Sequence, residues 1–253
     1  EGIQATLDHL GENTTSSEDA LRAGREVIEL IEAINRSGVQ ANVSIKLSQL
    51  GLTLNYDLCR DLYIKILESA RKSGNFVRVD MEDSSLTQKT MELVLGAARS
   101  GFTNTGIVIQ AYLRRSREDI RVLAANQTPV RLCKGAYKEP ANLAYESMEE
   151  VNRSYDALAE SLLAVGKRWK NRPDDPRWPA FAAYATHDDK RIAHIRRLAA
   201  ALKAKSQWYE FQMLYGIRRD LQKDLAASGY GVRVYVPYGT HWYPYFMRRL
   251  AER

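Results

Sequence analysis

Arg99-Ser100-Gly101-Phe102-Thr103-Asn104-Thr105-Gly106-Ile107-Val108-Ile109-Gln110-Ala111 reads as the end of a helix, its cap and the strand that follows. Glycine after a helix takes the left-handed cap conformation at no steric cost, and a cation just before it complements the negative end of the helix dipole. The Val and Ile run is bounded by turn residues, as in a strand covered on both sides. The same Ser-Gly punctuation recurs at Ser37-Gly38, Ser73-Gly74 and Ser228-Gly229, with Arg36 and Lys72 ahead of the first two. Helix, cap and strand in repetition predict a parallel α/β sheet.

Eight apolar runs fit this unit: Ile3 to Leu7, Val43 to Leu47, Phe76 to Val79, Ile107 to Ala111, Val130 to Cys133, Phe181 to Ala185, Tyr209 to Leu214 and Val232 to Val236. Helix starts agree, with Thr15 and Glu18 read as a capping box and Asp57 as the cap of the pattern Leu58, Leu62, Ile66 and Leu67. No glycine-rich dinucleotide fingerprint follows the first run, which favours a closed barrel over a doubly wound sheet. The expectation is a distorted (β/α)8 TIM-type barrel, one domain over residues 1–253, with the last helix lying over the carboxyl-end rim. The stretch holding Pro173, Pro176 and Pro179 reads as a stiff linker within that domain.

With 45% apolar and 27% charged residues, neither disorder nor a bilayer span is indicated, and no apolar run approaches the roughly 20 residues a span requires. Lys and Arg number 37 against 31 Asp and Glu, a net charge of +6 too diffuse to specify nucleic acid. The densest basic stretch, from Lys190 to Lys205, carries Arg196 and Arg197 on an amphipathic pattern and reads first as the solvated face of a barrel helix. Cys59 and Cys133 form no CxxC pair and the four histidines have no metal-ligand spacing, so no structural metal is expected. Two unpaired thiols suggest a reducing compartment.

Polar residues interrupt the runs at or near their carboxyl ends: Lys46, Asp80, Gln110, Arg131 and His187. That end of a parallel barrel is where chemistry is done. A lysine within an apolar strand is costly unless paired or used, and a buried Lys46–Asp80 ion pair would account for both residues structurally. In Arg131-Leu132-Cys133-Lys134-Gly135-Ala136-Tyr137, small residues would let a planar cofactor or phosphate approach the backbone, and Arg131 could stabilise negative charge on it. The last helix places Tyr245 three and four residues before Arg248 and Arg249, so the phenol shares a face with guanidinium groups able to grip one carboxylate.

Six strings, Ser44-Ile45-Lys46-Leu47-Ser48, Val79-Asp80-Met81-Glu82, Val108-Ile109-Gln110-Ala111-Tyr112, the strand-five segment above, Ala185-Thr186-His187 and Tyr245-Phe246-Met247-Arg248-Arg249-Leu250, together resemble proline dehydrogenase. The resemblance begins at Leu7-Asp8-His9-Leu10-Gly11-Glu12 and runs to the end of the chain. It implies an FAD enzyme oxidising L-proline to pyrroline-5-carboxylate by hydride transfer to the flavin N5, with electrons passed to a membrane quinone. Lys46, Arg248 and Arg249 are then implied to bind the substrate carboxylate, with Tyr137, Tyr235 and Tyr245 around its ring. Met81, Gln110, Lys134, Gly135, Ala136, Thr186 and His187 are implied to hold FAD, with Arg131 near N5. Asp80 is implied to be an active-site carboxylate bonded to Tyr235, a candidate base only if burial raises its pKa; Glu12 is implied to gate the site by pairing with Arg248. Cys133 and Asp188-Asp189 depart from the family pattern without touching this chemistry.

The resemblance also implies a cytoplasmic enzyme with peripheral contact to the inner face of the membrane, for which the Arg196–Arg197 helix is one possible surface. A related flavin barrel of the methylenetetrahydrofolate reductase type would share cofactor and topology, but its bulky pterin does not call for a paired-arginine clamp. A basic nucleic-acid binder would leave Lys46 and Asp80 at strand ends unexplained.

Overall fold

Left-handed glycines end the helices where the Ser-Gly pairs stand: Gly38 at φ 68°, Gly74 at 64°, Gly101 at 88° and Gly229 at 82°. The computed structural model describes residues 2–11, 13–169, 173–240 and 242–251, with the side chains at 206, 244 and 248–251 outside the description. Helices and strands alternate as β1 (Ile3–His9), α1 (Ser17–Ser37), β2 (Ala41–Ile45), α2 (Tyr56–Lys72), β3 (Val77–Val79), α3 (Ser84–Arg99), β4 (Thr105–Gln110) and α4 (Ser116–Ala125). The second half repeats the alternation through β5 (Val130–Cys133), α5 (Met148–Gly166), β6 (Ala182–Ala185), α6 (Asp189–Ala201), β7 (Tyr209–Leu214), α7 (Arg219–Ala227), β8 (Val232–Tyr238) and α8 (Trp242–Ala251).

The eight strands form one closed parallel barrel in sequence order, with β1 returning to β8. Each expected run carries a strand, and the fold is the anticipated (β/α)8 barrel. Two caps fall elsewhere than expected. Ser16, not Thr15, accepts the Asp19 amide at the start of α1, and Asn55, not Asp57, caps α2 through the Leu58 amide at 3.0 Å. The acceptor with cap geometry lies one residue after Thr15 at α1 and two residues before Asp57 at α2, where Asp57 itself stands inside the first turn.

The strands are not uniformly apolar. Val43, Ile45, Val77, Val79, Ile107 and Leu132 face the helices and are buried, each contributing roughly 1.5–3 kcal/mol. The alternate positions point inward and are polar: Thr6, Asp8, Asn42, Ser44, Arg78, Arg131, Glu210, Gln212 and Arg233 are all buried. The amino-terminal end of the barrel is closed by the proline-rich segment. Asn42 donates to the Arg177 carbonyl at 2.8 Å, Arg233 to the Pro176 carbonyl at 3.0 Å, and the Trp178 indole to the Gly74 carbonyl at 2.9 Å. Arg233 also pairs with Glu210 at 2.9 Å, so this layer is internally neutralised. The expected stiff linker is a plug.

Candidate active site

Above the plug, the inward residues near the carboxyl ends of β1, β2, β3, β5 and β8 meet in one hydrogen-bonded cluster. Lys46 leaves the end of β2 and places Nζ 2.9 Å from Asp8 Oδ2 and 3.6 Å from Asp80 Oδ2. The Arg131 guanidinium lies 2.8 Å from Asp80 Oδ1, and Ser44 donates to the same oxygen at 2.7 Å. Tyr235 donates its hydroxyl to Asp80 Oδ2 at 2.8 Å, and its ring lies 5.3 Å beneath the Arg131 guanidinium. Gln212 accepts from Arg131 Nε and so fixes the fork in azimuth.

Burial works against the Asp80 charge, but Lys46, Arg131 and the hydrogen bonds from Ser44 and Tyr235 outweigh it and hold the carboxyl below the ordinary aspartate value. The condition under which Asp80 would serve as a base is therefore not met. Burial, with Asp8 and Asp80 as nearby anions, pushes the Tyr235 phenol well up, so it stays a donor. The Lys46 ion pair expected with Asp80 is present, but its shorter partner is Asp8, at the end of β1. The signal for Asp8 was the alternation Thr6, Asp8 on the inner face of the first strand, which a reading by apolar runs passes over.

The β3–β6 side of the rim supplies a second group. Gln110 donates to the Glu82 carbonyl at 2.9 Å, and the Glu82 carboxylate in turn accepts the Ser48 amide at 3.0 Å, which holds the segment around buried Met81. Lys134 pairs with Asp188 at 2.7 Å, and Asp188 caps α6 through the Lys190 amide at 2.9 Å. Thr186 accepts from the Asp188 amide at 3.1 Å, and His187 Nε2 accepts the Leu214 amide at 3.0 Å, the bonding of a residue that orders the rim. Gly135 has φ +125°, and a Cβ there would stand 2.2 Å from the Tyr112 ring. Only glycine fits, and with exposed Ala136 after it the backbone at Gly135-Ala136 is bare of bulk on the rim, ahead of half-buried Tyr137. Lys134 with neighbouring Arg131, an amide, a hydroxyl and a bare backbone suit a planar, electron-accepting dinucleotide such as FAD.

Tyr245, on α8, lines a cavity of about 500 Å³ together with His9, Leu10, Gly11 and Gln49, which places the last helix at the carboxyl end of β1. Glu12 lies outside the described residues, as do the side chains of Arg248 and Arg249. The family model for proline dehydrogenase matches residues 1–253. The chain belongs to the proline dehydrogenase family. It is 38% identical over 253 residues to proline dehydrogenase 2 of Bacillus subtilis, covering 100% of this chain and 79% of that relative. It is 39% identical over 256 residues to the proline dehydrogenase of Deinococcus radiodurans, covering 100% of this chain and 78% of the relative. A solved proline utilization A from Bdellovibrio bacteriovorus, inactivated by N-propargylglycine, superposes with TM-score 0.88 at 27% identity over 99% of this chain. This chain spans 30% of that longer one. The molecule is thus an oxidoreductase of the proline dehydrogenase type, on the barrel that type uses.

Proposed function

We propose that this enzyme oxidises L-proline to pyrroline-5-carboxylate, the first step of proline catabolism, with FAD as its cofactor. The observation that carries the reading is the Lys46–Asp8–Asp80–Arg131–Tyr235 cluster at the barrel mouth of a proline dehydrogenase family chain. When bound, FAD supplies the acceptor for the hydride that leaves the carbon beside the ring nitrogen. Gln110, Met81, Lys134, Gly135, Ala136, Thr186 and His187 would hold it, and Arg131 would stand near N5.

The protein's own part is to pin a small zwitterion. Lys46, Arg248 and Arg249 take the carboxylate, and Tyr137, Tyr235 and Tyr245 surround the ring, so that binding is converted into orientation. Asp80 remains ionised, anchoring Arg131 and Tyr235, and Glu12 closes the site by pairing with Arg248. Electrons pass on to a membrane quinone, with the exposed Arg196–Arg197 face of α6 as the peripheral contact. No helix of the described residues is long and apolar enough to cross a membrane.

A visible spectrum tests the core of this reading. The protein reconstituted with FAD shows flavin bands that L-proline bleaches anaerobically and a soluble quinone restores. Flavin that binds but ignores proline would overturn the substrate assignment, and a chain that cannot retain FAD would overturn the cofactor.

A further inference from the structure

Arg78 stands on the inner face of β3, two residues below Asp80, and is fully buried. Its Nη1 donates to the Ile107 carbonyl at 3.2 Å and the Pro129 carbonyl at 2.7 Å, and its guanidinium lies 5.0 Å from the Phe76 ring centre. The Nε and Nη2 atoms find no partner among the described residues. No carboxylate of the described residues is within ion-pairing distance, whereas Arg131 is paired with Asp80 and Arg233 with Glu210. The chain makes room for this cation: a Cβ on Gly106 would lie 2.5 Å from Arg78 Nη1.

Taking an unpaired cation out of water is among the costliest arrangements a core can hold. Burial, then the like charge of Arg131, pushes its pKa well down, against the weaker opposing pull of Glu210 and Asp80. The packing does not require a charge there, because the Pro129 carbonyl already accepts the Ile107 amide at 3.0 Å. The buried cations Lys46, Arg78, Arg131 and Arg233 are matched in number by the buried carboxylates Asp8, Asp80, Glu82 and Glu210, but Arg78 is the one of the four cations with no carboxylate of the described residues within ion-pairing distance.

We infer that Arg78, as an unpaired internal cation, raises the potential at the barrel mouth from below, favouring the electron-rich reduced form of the flavin over the oxidised one. The inference rests on the proposed flavin site above it. A hydride brings two electrons and one proton to the flavin and leaves the substrate a cationic iminium. The flavin side therefore gains negative charge, and a fixed cation beneath it lowers that cost without touching either reactant. A unit charge acting over roughly 10 Å at an effective dielectric near 20 moves such an equilibrium about tenfold or somewhat more.

The experiment is a dye-equilibration measurement of the flavin midpoint potential in holoenzyme carrying Arg78→Met, Arg78→Gln or Arg78→Lys, with FAD content and urea midpoint recorded alongside. The two neutral variants should fold, retain FAD and shift to more negative potential, displacing the proline–flavin equilibrium about tenfold against reduction. The Lys variant, which keeps the charge and loses the fork, should stay near wild type. A wild-type potential in either neutral variant would overturn the inference. So would neutral variants that fail to fold while the Lys variant succeeds, because the charge would then be structural. Wild-type protein whose flavin ignores proline would instead defeat the functional reading beneath it.

Discussion

Asp80 keeps its charge in a place where burial alone would remove it. Its two oxygens receive Arg131, Ser44 and Tyr235, with Lys46 at 3.6 Å, so neutralising the carboxylate would strand cations rather than relieve strain. Removing one member of a buried pair costs about 3–5 kcal/mol. Asp80→Asn should lower stability by about 3 kcal/mol at pH 7 in urea unfolding. The pH dependence follows from the lowered folded pKa. The unfolded chain binds the proton first as pH falls, so the stabilisation is present above the ordinary aspartate value near pH ~4 and is lost as pH drops through the depressed folded value. The acid limb of the stability profile should be shallower in the Asn variant than in wild type. An identical limb would mean that other carboxylates, Glu210 among them, carry the acid transition.

At the scale of elements, the β5–α5 connection is held by a glycine that no other residue can replace. Gly135→Ala would force a side chain to φ +125° and against Tyr112, and strained positions of this kind cost about 1–3 kcal/mol before any clash is counted. The variant should lose FAD on gel filtration and melt earlier as apoprotein. An Ala variant that keeps its flavin and its melting point would show the rim to be more pliable than its packing implies.

The elements were legible because their signals are local. Ser-Gly pairs stop helices by backbone chemistry, and Val and Ile runs name strands. The cap positions were legible only to within a turn, since Thr15 and Ser16, or Asn55 and Asp57, are chemically interchangeable until the chain direction is known. Lys46 and Asp80 were legible as polar residues at strand ends and Tyr235 through the family resemblance, and the structure brings the three into one cluster. Asp8, Arg78, Glu210, Gln212 and Arg233 were not legible, because a search for apolar content discards the alternate residue in a strand whose inner face is polar. A period-two reading of Arg78 and Asp80, or of Arg233 and Tyr235, would have exposed the charged interior.

For the molecule as a whole, the two ends of the barrel do different work. The carboxyl end carries the reactive cluster, whereas the amino end is sealed by residues from Asp175 to Trp178, with the indole packed 5.5 Å from Phe76 and bonded to Gly74. Trp178→Ala would remove a large buried ring and the cap on the polar column, a loss of about 3–5 kcal/mol. The melting temperature should fall by several degrees. The KM for proline should barely move, since the reacting end is untouched. A raised KM with unchanged melting temperature would contradict this division of labour.

The ring of strands closes through β1 and β8, whose seven-residue register runs from Ile3 with Val232 to His9 with Tyr238. The opening strand therefore waits for the final one, and a nascent chain leaving the ribosome carries an unsatisfied sheet margin until nearly all of this sequence has been translated. Late, long-range closure of this kind slows folding and leaves that margin open to pairing with other chains. Expression at low temperature or with chaperone support should thus govern how much enzyme is recovered, independently of how stable the finished ring is.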